Sequence, residues 1–200
     1  MTANHEAPSS DAPRDVALFE SEALPHLDAL YRTARRLTSN DQAAEDLVQD
    51  ALERAYTHYD RFQPGTNMRA WLFRILSNLA ISGYRRRATA PSVESLDDGE
   101  EFSLYNQLQA SDGDGSDVEA RVLDLLGEES IRAAIEALPM DFRMVVLLAD
   151  VEGFAYKEIA EILGIPRGTV MSRLFRGRRL LQRSLWEQAQ AAGISRVKEG

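Results

Sequence analysis

Cysteine is absent from the 200 residues, and with it go disulfides, thiolate nucleophiles and Cys-based zinc sites. Histidine is scarce. His5, His26 and His58 are scattered, and a lone histidine on a helix is ordinarily structural rather than a ligand. No apolar run approaches the ~20 residues that a membrane helix needs, so no membrane insertion is expected. The opening MTANHEAPSSDAPRD has neither a basic start nor an apolar core. It reads as a disordered tail rather than a leader, which places the chain in the cytoplasm. There is no Gly-rich phosphate loop and no nucleophile beside a plausible base. The sequence therefore predicts no enzyme, no cofactor and no metal.

What is present is helical and unevenly charged. Hydrophobic residues make up 44% of the chain, enough for real cores, and Gly and Pro cluster in a few segments. The net charge of −9 sits awkwardly with nucleic-acid binding until its distribution is read. From Arg61 to Val93 there are six arginines and no acidic residue, and the same holds from Ile162 to Trp186. Net charge governs solubility, whereas local patches decide where phosphate binds. Two separated basic patches predict two contacts on one nucleic acid.

Apolar spacing predicts helix from about Asp15 to Thr38, interrupted at Pro25, which cannot sit in a helix interior without kinking it. Ser39 and Gln42 fit a capping box for a second helix whose polar face carries Asp46, Gln49, Asp50, Glu53 and Arg54. The turn at 63–67, QPGTN, precedes a third helix from about Met68 to Arg87. Residues 88–127 turn to Pro, Ser, Gly and Asp, a linker composition too polar to bury a core, with a short helix expected around Phe102 to Leu108. Helical pattern resumes near Glu128. The expected organisation is all-α: a tail at 1–14, a helical domain at 15–87, a flexible acidic linker at 88–127, a second helical domain at 128–191 and a tail at 192–200.

Two segments carry the functional signal. YKEIAEILGIPRGTVMSRLFRGRRLL (156–181) reads as a short amphipathic helix, a Gly164 stop, and a second helix from about Arg167. That is a helix-turn-helix, whose second helix enters the major groove. A plain solvated helix pair is the bland alternative, and the small Ala160 argues against it, because a close helix crossing needs room there. The other segment, FQPGTNMRAWLFRILSNLAISGYRRR (62–87), mixes Phe62, Trp71, Phe73 and Tyr84 with Arg and Asn and has no carboxylate. Trp71 and Phe73 read as core. Phe62 lies outside the helical periodicity and Asn78 is polar on an apolar helix, a pairing suited to holding an unstacked base.

In this order and spacing, AEDLVQDALERAY (44–56), RAWLFRILSNLAISGYRRR (69–87) and residues 137–181 resemble the extracytoplasmic-function (group 4) sigma factors of bacterial RNA polymerase. Within that family the look is nearest to the actinobacterial thiol-oxidative-stress factors. The resemblance implies that 15–87 is sigma region 2 and 128–191 is sigma region 4. It implies that Asp46, Gln49, Asp50 and Glu53 dock on the β′ clamp helices of the polymerase core, with the β flap a further contact. Arg54, Phe62, Ile75 and Asn78 would form the pocket for a flipped base of the −10 element, and Arg85, Arg86 and Arg87 would contact nearby phosphates. Arg167, Thr169, Met171, Ser172, Arg173, Phe175, Arg176 and Arg179 would meet the −35 element. Met171 stands where several relatives carry Arg.

The resemblance also implies an anti-sigma factor. Since this chain has no cysteine, a redox sensor would have to be that partner, a zinc-binding, redox-sensing protein. The competing expectation is a stand-alone helix-turn-helix regulator, but such proteins carry a sensing domain with βα repeats, which this sequence lacks. A helical interaction protein without a DNA role is opposed by the two acid-free arginine stretches.

Overall fold

Pro25 decides how the first helical segment runs. The chain is helical in α1 (Val16–Ala23), passes through a 3-10 turn holding Pro25 (Leu24–His26), and resumes in α2 (Leu27–Leu37). The structure, a computed structural model, describes residues 16–38, 40–87, 127 and 129–191. The expected tails at 1–14 and 192–200, and the expected linker at 88–127 with its short helix, apart from Gly127, lie outside those residues.

The second helix, α3, spans Asp41–Thr57. Its cap corrects the expected one: Asn40, not Ser39, occupies the N-cap, and its side-chain oxygen accepts from the Ala43 N–H at 2.8 Å. Asn is as good a cap as Ser, and satisfying one orphan helix donor stabilises by about 1 kcal/mol. Gln42 donates to Asp46 at 2.9 Å, and Ser39 lies outside the described residues. The third helix, α4, runs Met68–Arg87 as expected, with the Asn67 side chain accepting from the Ala70 N–H at 3.0 Å.

The second unit begins with α5 (129–137) and α6 (Met140–Val146). Arg143 reaches back from α6 to the carbonyls of Glu136 and Leu138, satisfying acceptors at the end of α5. Its partial burial lowers the guanidinium pKa by desolvation. The helix then loosens into a π-helical turn, Leu147–Val151, where the Glu152 N–H donates to the Leu147 carbonyl. Helices α7 (Tyr156–Leu163) and α8 (Arg167–Ala191) complete the described residues. Gly164 ends α7 at φ +64°, a left-handed conformation that costs a residue with a Cβ about 1–2 kcal/mol. The Glu158 carboxylate accepts from the Ala155 N–H at the start of α7, neutralising a free donor there.

All regular structure among the described residues is helical. Among them, no helix is long and apolar enough to cross a membrane. Helix α4 is the centre of the molecule: α1, α2 and α3 pack on it within the first unit, and α7 packs on it from the second. The buried side chains of both units join in one apolar cluster, with Leu72, Phe73 and Leu76 of α4 and Leu147, Leu148 and Ile159 of the second unit all enclosed.

Candidate nucleic-acid interface

The recognition helix α8 is amphipathic by arrangement rather than by charge count. Val170, Leu174 and Gly177 are buried against the rest of the second unit. The face left over carries Met171, Ser172, Phe175 and Arg176, spaced three and four apart and all exposed. Phe175 is 68% exposed and Met171 52%, so two large apolar side chains stand in water on an otherwise polar face. Arg167, also exposed, opens the helix, and Thr169 is half-buried, accepting at its carbonyl from the Ser172 hydroxyl at 3.1 Å.

The six arginines of this stretch are not equivalent. Arg173 donates to Asp141 at 3.0 Å and Arg178 is paired with Asp150, both carboxylates coming from the α6 region. The hydrogen bond to Asp150 raises the Arg178 pKa further. Arg183 is joined to Glu187 one turn on, and Arg179 is half-buried and also engaged. Arg167 and Arg176 have no ion-pair partner among the described residues. A stretch free of acids in sequence is thus partly neutralised in space, and the unneutralised cations fall on the exposed face of α8.

On α4 a second exposed ridge forms from Arg74, Asn78, Ser82, Arg85 and Arg86, with Ile75 half-buried beside it. The backbone of Arg87 ends the same helix. Arg74 was not singled out by sequence, although its spacing of four from Asn78 places it on the ridge. Arg54 is exposed in the last turn of α3. Phe62 stands directly before the QPGTN turn, yet its ring is not open to a base. It is buried, stacked on Tyr59 at 5.9 Å between ring centroids and tilted against Trp71 at 5.2 Å. Trp71 and Phe73 are core-facing, Phe73 fully and Trp71 partly.

Asp46, Gln49, Asp50 and Glu53 are all exposed on one side of α3, with Gln49 donating to Glu53 at 3.0 Å. Next to them lies a groove of about 420 Å³ between α2 and α3. Leu27, Tyr31, Val48 and Leu52 line it together with Asp28, Glu45, Gln49 and Glu53, an apolar trough with an acidic rim. Among the described residues no group of His, Asp and Glu is arranged to hold a metal ion.

Two helical units, one with a helix-turn-helix and each with an arginine-bearing exposed ridge, define an all-helical nucleic-acid-binding protein. The Sigma-70 region 2 family model matches residues 24–89, and the Sigma-70, region 4 model matches residues 128–181. The sequence is 38% identical to the ECF RNA polymerase sigma factor EcfG of Rhodopseudomonas palustris, over 90% of this chain and 88% of that protein. It is 36% identical to the ECF RNA polymerase sigma factor SigE of Mycolicibacterium smegmatis, over 86% of this chain and 68% of that one. The sigma factor RpoE, solved with the anti-sigma factor NepR from Bartonella quintana, superposes with a TM-score of 0.62 at 33% identity, covering 86% of this chain and 98% of that chain. The chain belongs to the extracytoplasmic-function sigma factors of the sigma-70 family. The match of a region 2 as well as a region 4 sets aside a stand-alone regulator.

Proposed function

We propose that the chain acts in the cytoplasm by docking on core RNA polymerase through α3, opening the −10 element with α4 and anchoring −35 duplex with α8. The observation that carries this reading is the exposed ridge of α8. Arg176 and Ser172 offer hydrogen bonds to base edges or phosphate, and Phe175 and Met171 offer apolar contact to thymine methyls. Arg167 and Arg173 flank the ridge, with Arg173 held in place by Asp141. Thr169 and Arg179 complete the proposed −35 surface.

At −10, Asn78 would read a flipped base beside Ile75 and Arg54, with Arg85, Arg86 and Arg87 on the phosphates. Base flipping costs a few kcal/mol, which contacts in the pocket must recover. Phe62, buried against Tyr59 and Trp71, would join this pocket as the aromatic cluster opens on DNA. Asp46, Gln49, Asp50 and Glu53, with the acid-rimmed groove beside them, suit a basic helical partner such as the β′ clamp helices; region 4 would meet the β flap.

An anti-sigma factor is the proposed regulator, supported by the likeness to a sigma factor solved with one. The thiol-stress reading rests on the motif resemblance, and it puts the sensor in a zinc-binding, redox-sensing partner because this chain has no cysteine. A sigma–partner complex insensitive to oxidant and to zinc removal contradicts that part. The whole reading is tested by adding the chain to core polymerase on a library of randomised promoters. Enrichment of a two-part promoter in the transcribed pool is expected, and absence of any promoter-dependent transcript overturns the reading.

A further inference from the structure

Arg173 and Arg178 stand five residues apart on α8, which at about 100° per residue sets them roughly 140° apart around the helix. They therefore fall one on each flank of the ridge formed by Met171, Ser172, Phe175 and Arg176. A carboxylate from the helix beneath meets each of them. Asp141, in the first turn of α6, accepts from Arg173 at 3.0 Å. Asp150, in the π-helical turn that follows α6, accepts from Arg178 through both oxygens, one of them from Nε at 3.1 Å. The Asp141 and Asp150 side chains keep 40% and 33% of their surface exposed, so both pairs are open to water. Exposed pairs add little to stability, and α8 is already seated on α6 by the buried Val170, Leu174 and Gly177. Holding the helix in place does not account for them.

Their position does. A helix about 10–12 Å across fills a major groove about 12 Å wide, so its two flanks face the two phosphate walls. The flanking arginines sit where phosphate oxygens would arrive, and in the free protein Asp141 and Asp150 occupy those places. We infer that Asp141 and Asp150 are built-in phosphate surrogates that withhold Arg173 and Arg178 from unselected duplex, keeping the free chain off bulk DNA. The inference rests on the proposed reading of α8 as the −35 helix. Non-specific binding is made almost wholly of phosphate contacts, each worth more as it releases condensed counterions. An arginine that must first leave a carboxylate only exchanges one anion for another, and its gain is small. With Arg183 on Glu187 as well, the free helix offers phosphate far less charge than its sequence holds, and the base contacts of the ridge are left to decide where it settles. Asp141 and Asp150 are thus positioning residues that act through the two arginines.

The test uses the full chain and a labelled duplex of random sequence, with binding followed by fluorescence anisotropy across a series of salt concentrations. Asp141→Asn/Asp150→Asn should bind about ten-fold more tightly than the parent at low salt. Its plot of log affinity against log salt should be steeper by about 1–2, since each freed arginine that reaches a phosphate adds about 0.9. A merely structural role would not move that slope. Glu20→Gln/Asp60→Asn removes two exposed carboxylates of the first unit, outside both pairs, and controls for net charge. It should leave the slope as in the parent, as should Asp141→Glu/Asp150→Glu, which keeps both charges. Asp141→Asn should gain nothing in a chain that already carries Arg173→Ala. An affinity and slope unchanged in Asp141→Asn/Asp150→Asn overturn the inference. An equal gain in Glu20→Gln/Asp60→Asn overturns it too, reducing the effect to net charge, and so does a loss of binding in Asp141→Asn/Asp150→Asn, which would make the carboxylates scaffolding for α8. None of these readings uses a promoter. A holoenzyme that protects every −35 sequence alike counts against the −35 assignment instead, and the salt slopes still decide the surrogates.

Discussion

Gly177 sets the seat of the recognition helix, and replacing it gives a prediction whose size follows from the structure. A Cβ at this position would lie 2.7 Å from Val146 Cγ2, 3.3 Å from Phe142 Cβ and 3.4 Å from the Phe142 carbonyl oxygen. Non-bonded carbons rest at about 3.5–4.0 Å, so the new methyl overlaps Val146 by close to 1 Å. Val146 is 2% exposed and β-branched on a helix, so it has essentially one rotamer and nowhere to retreat. Helix α8 must then move off α6, and overpacking of this kind costs about 1–3 kcal/mol. Ala in place of Gly inside a helix returns about 0.8–1.0 kcal/mol, leaving Gly177→Ala destabilising by roughly 0.5–2 kcal/mol. Gly168, in the first turn of the same helix, is the internal control. A Cβ there meets nothing within 4 Å, so Gly168→Ala should stabilise by up to about 1 kcal/mol. Urea titrations followed by far-UV circular dichroism measure both, as midpoint shifts at constant m. A Gly177→Ala variant as stable as the parent, or more so, refutes the close crossing of α8 on α6.

Ser77 is buried in α4 with its hydroxyl unpartnered, so Ser77→Ala should stabilise by about 1 kcal/mol in the same titration. A loss of stability would show that the hydroxyl has a partner in solution. Arg176→Ala should weaken promoter binding by about 1–3 kcal/mol and unequally across −35 sequences, read by competition binding of the holoenzyme. Equal loss on every sequence makes Arg176 a phosphate contact. Asn78→Ala should slow promoter opening more than it weakens binding, measured by fluorescence of 2-aminopurine placed in the −10 element. Unaltered opening on duplex promoter removes Asn78 from the pocket.

The helices were legible because their boundaries are written locally. Pro25 and Gly164 break the chain for reasons of one residue's geometry, and the QPGTN turn fixes the start of α4 at Met68. The residues of the exposed ridges came from the motif resemblance, and the helical period that buries Val170 and Leu174 explains why those on α8 face outward. Charge was less legible. The arginines at 173 and 178 look unpaired in a window free of acids, yet Asp141 and Asp150 lie 32 and 28 residues away in sequence and beside them in space. Phe62 escaped for a similar reason, because its burial comes from Tyr59 and Trp71 closing over it and not from any periodicity of its own. Least legible was the joint between the units. Thr33 and Arg69 are 119 and 83 residues from Glu152, and no local pattern marks three polar side chains as one cluster. The expected picture of two domains joined by a tether left that contact out.

Burial first, and the nearby Arg69 cation second, hold the His26 imidazole below its ordinary value.

The central claim is that one chain, seated on polymerase, reads −35 as duplex with α8 while it opens −10 with α4. Footprinting of the holoenzyme on a selected promoter tests this most directly, with hydroxyl radical for protection and permanganate for unpaired thymines. The account predicts protection at −35 that disappears in Arg176→Ala, together with permanganate reactivity at −10 that falls in Asn78→Ala while the −35 protection remains. Unpaired thymines at −10 that persist in Asn78→Ala, with −35 protection indifferent to Arg176→Ala, would contradict it.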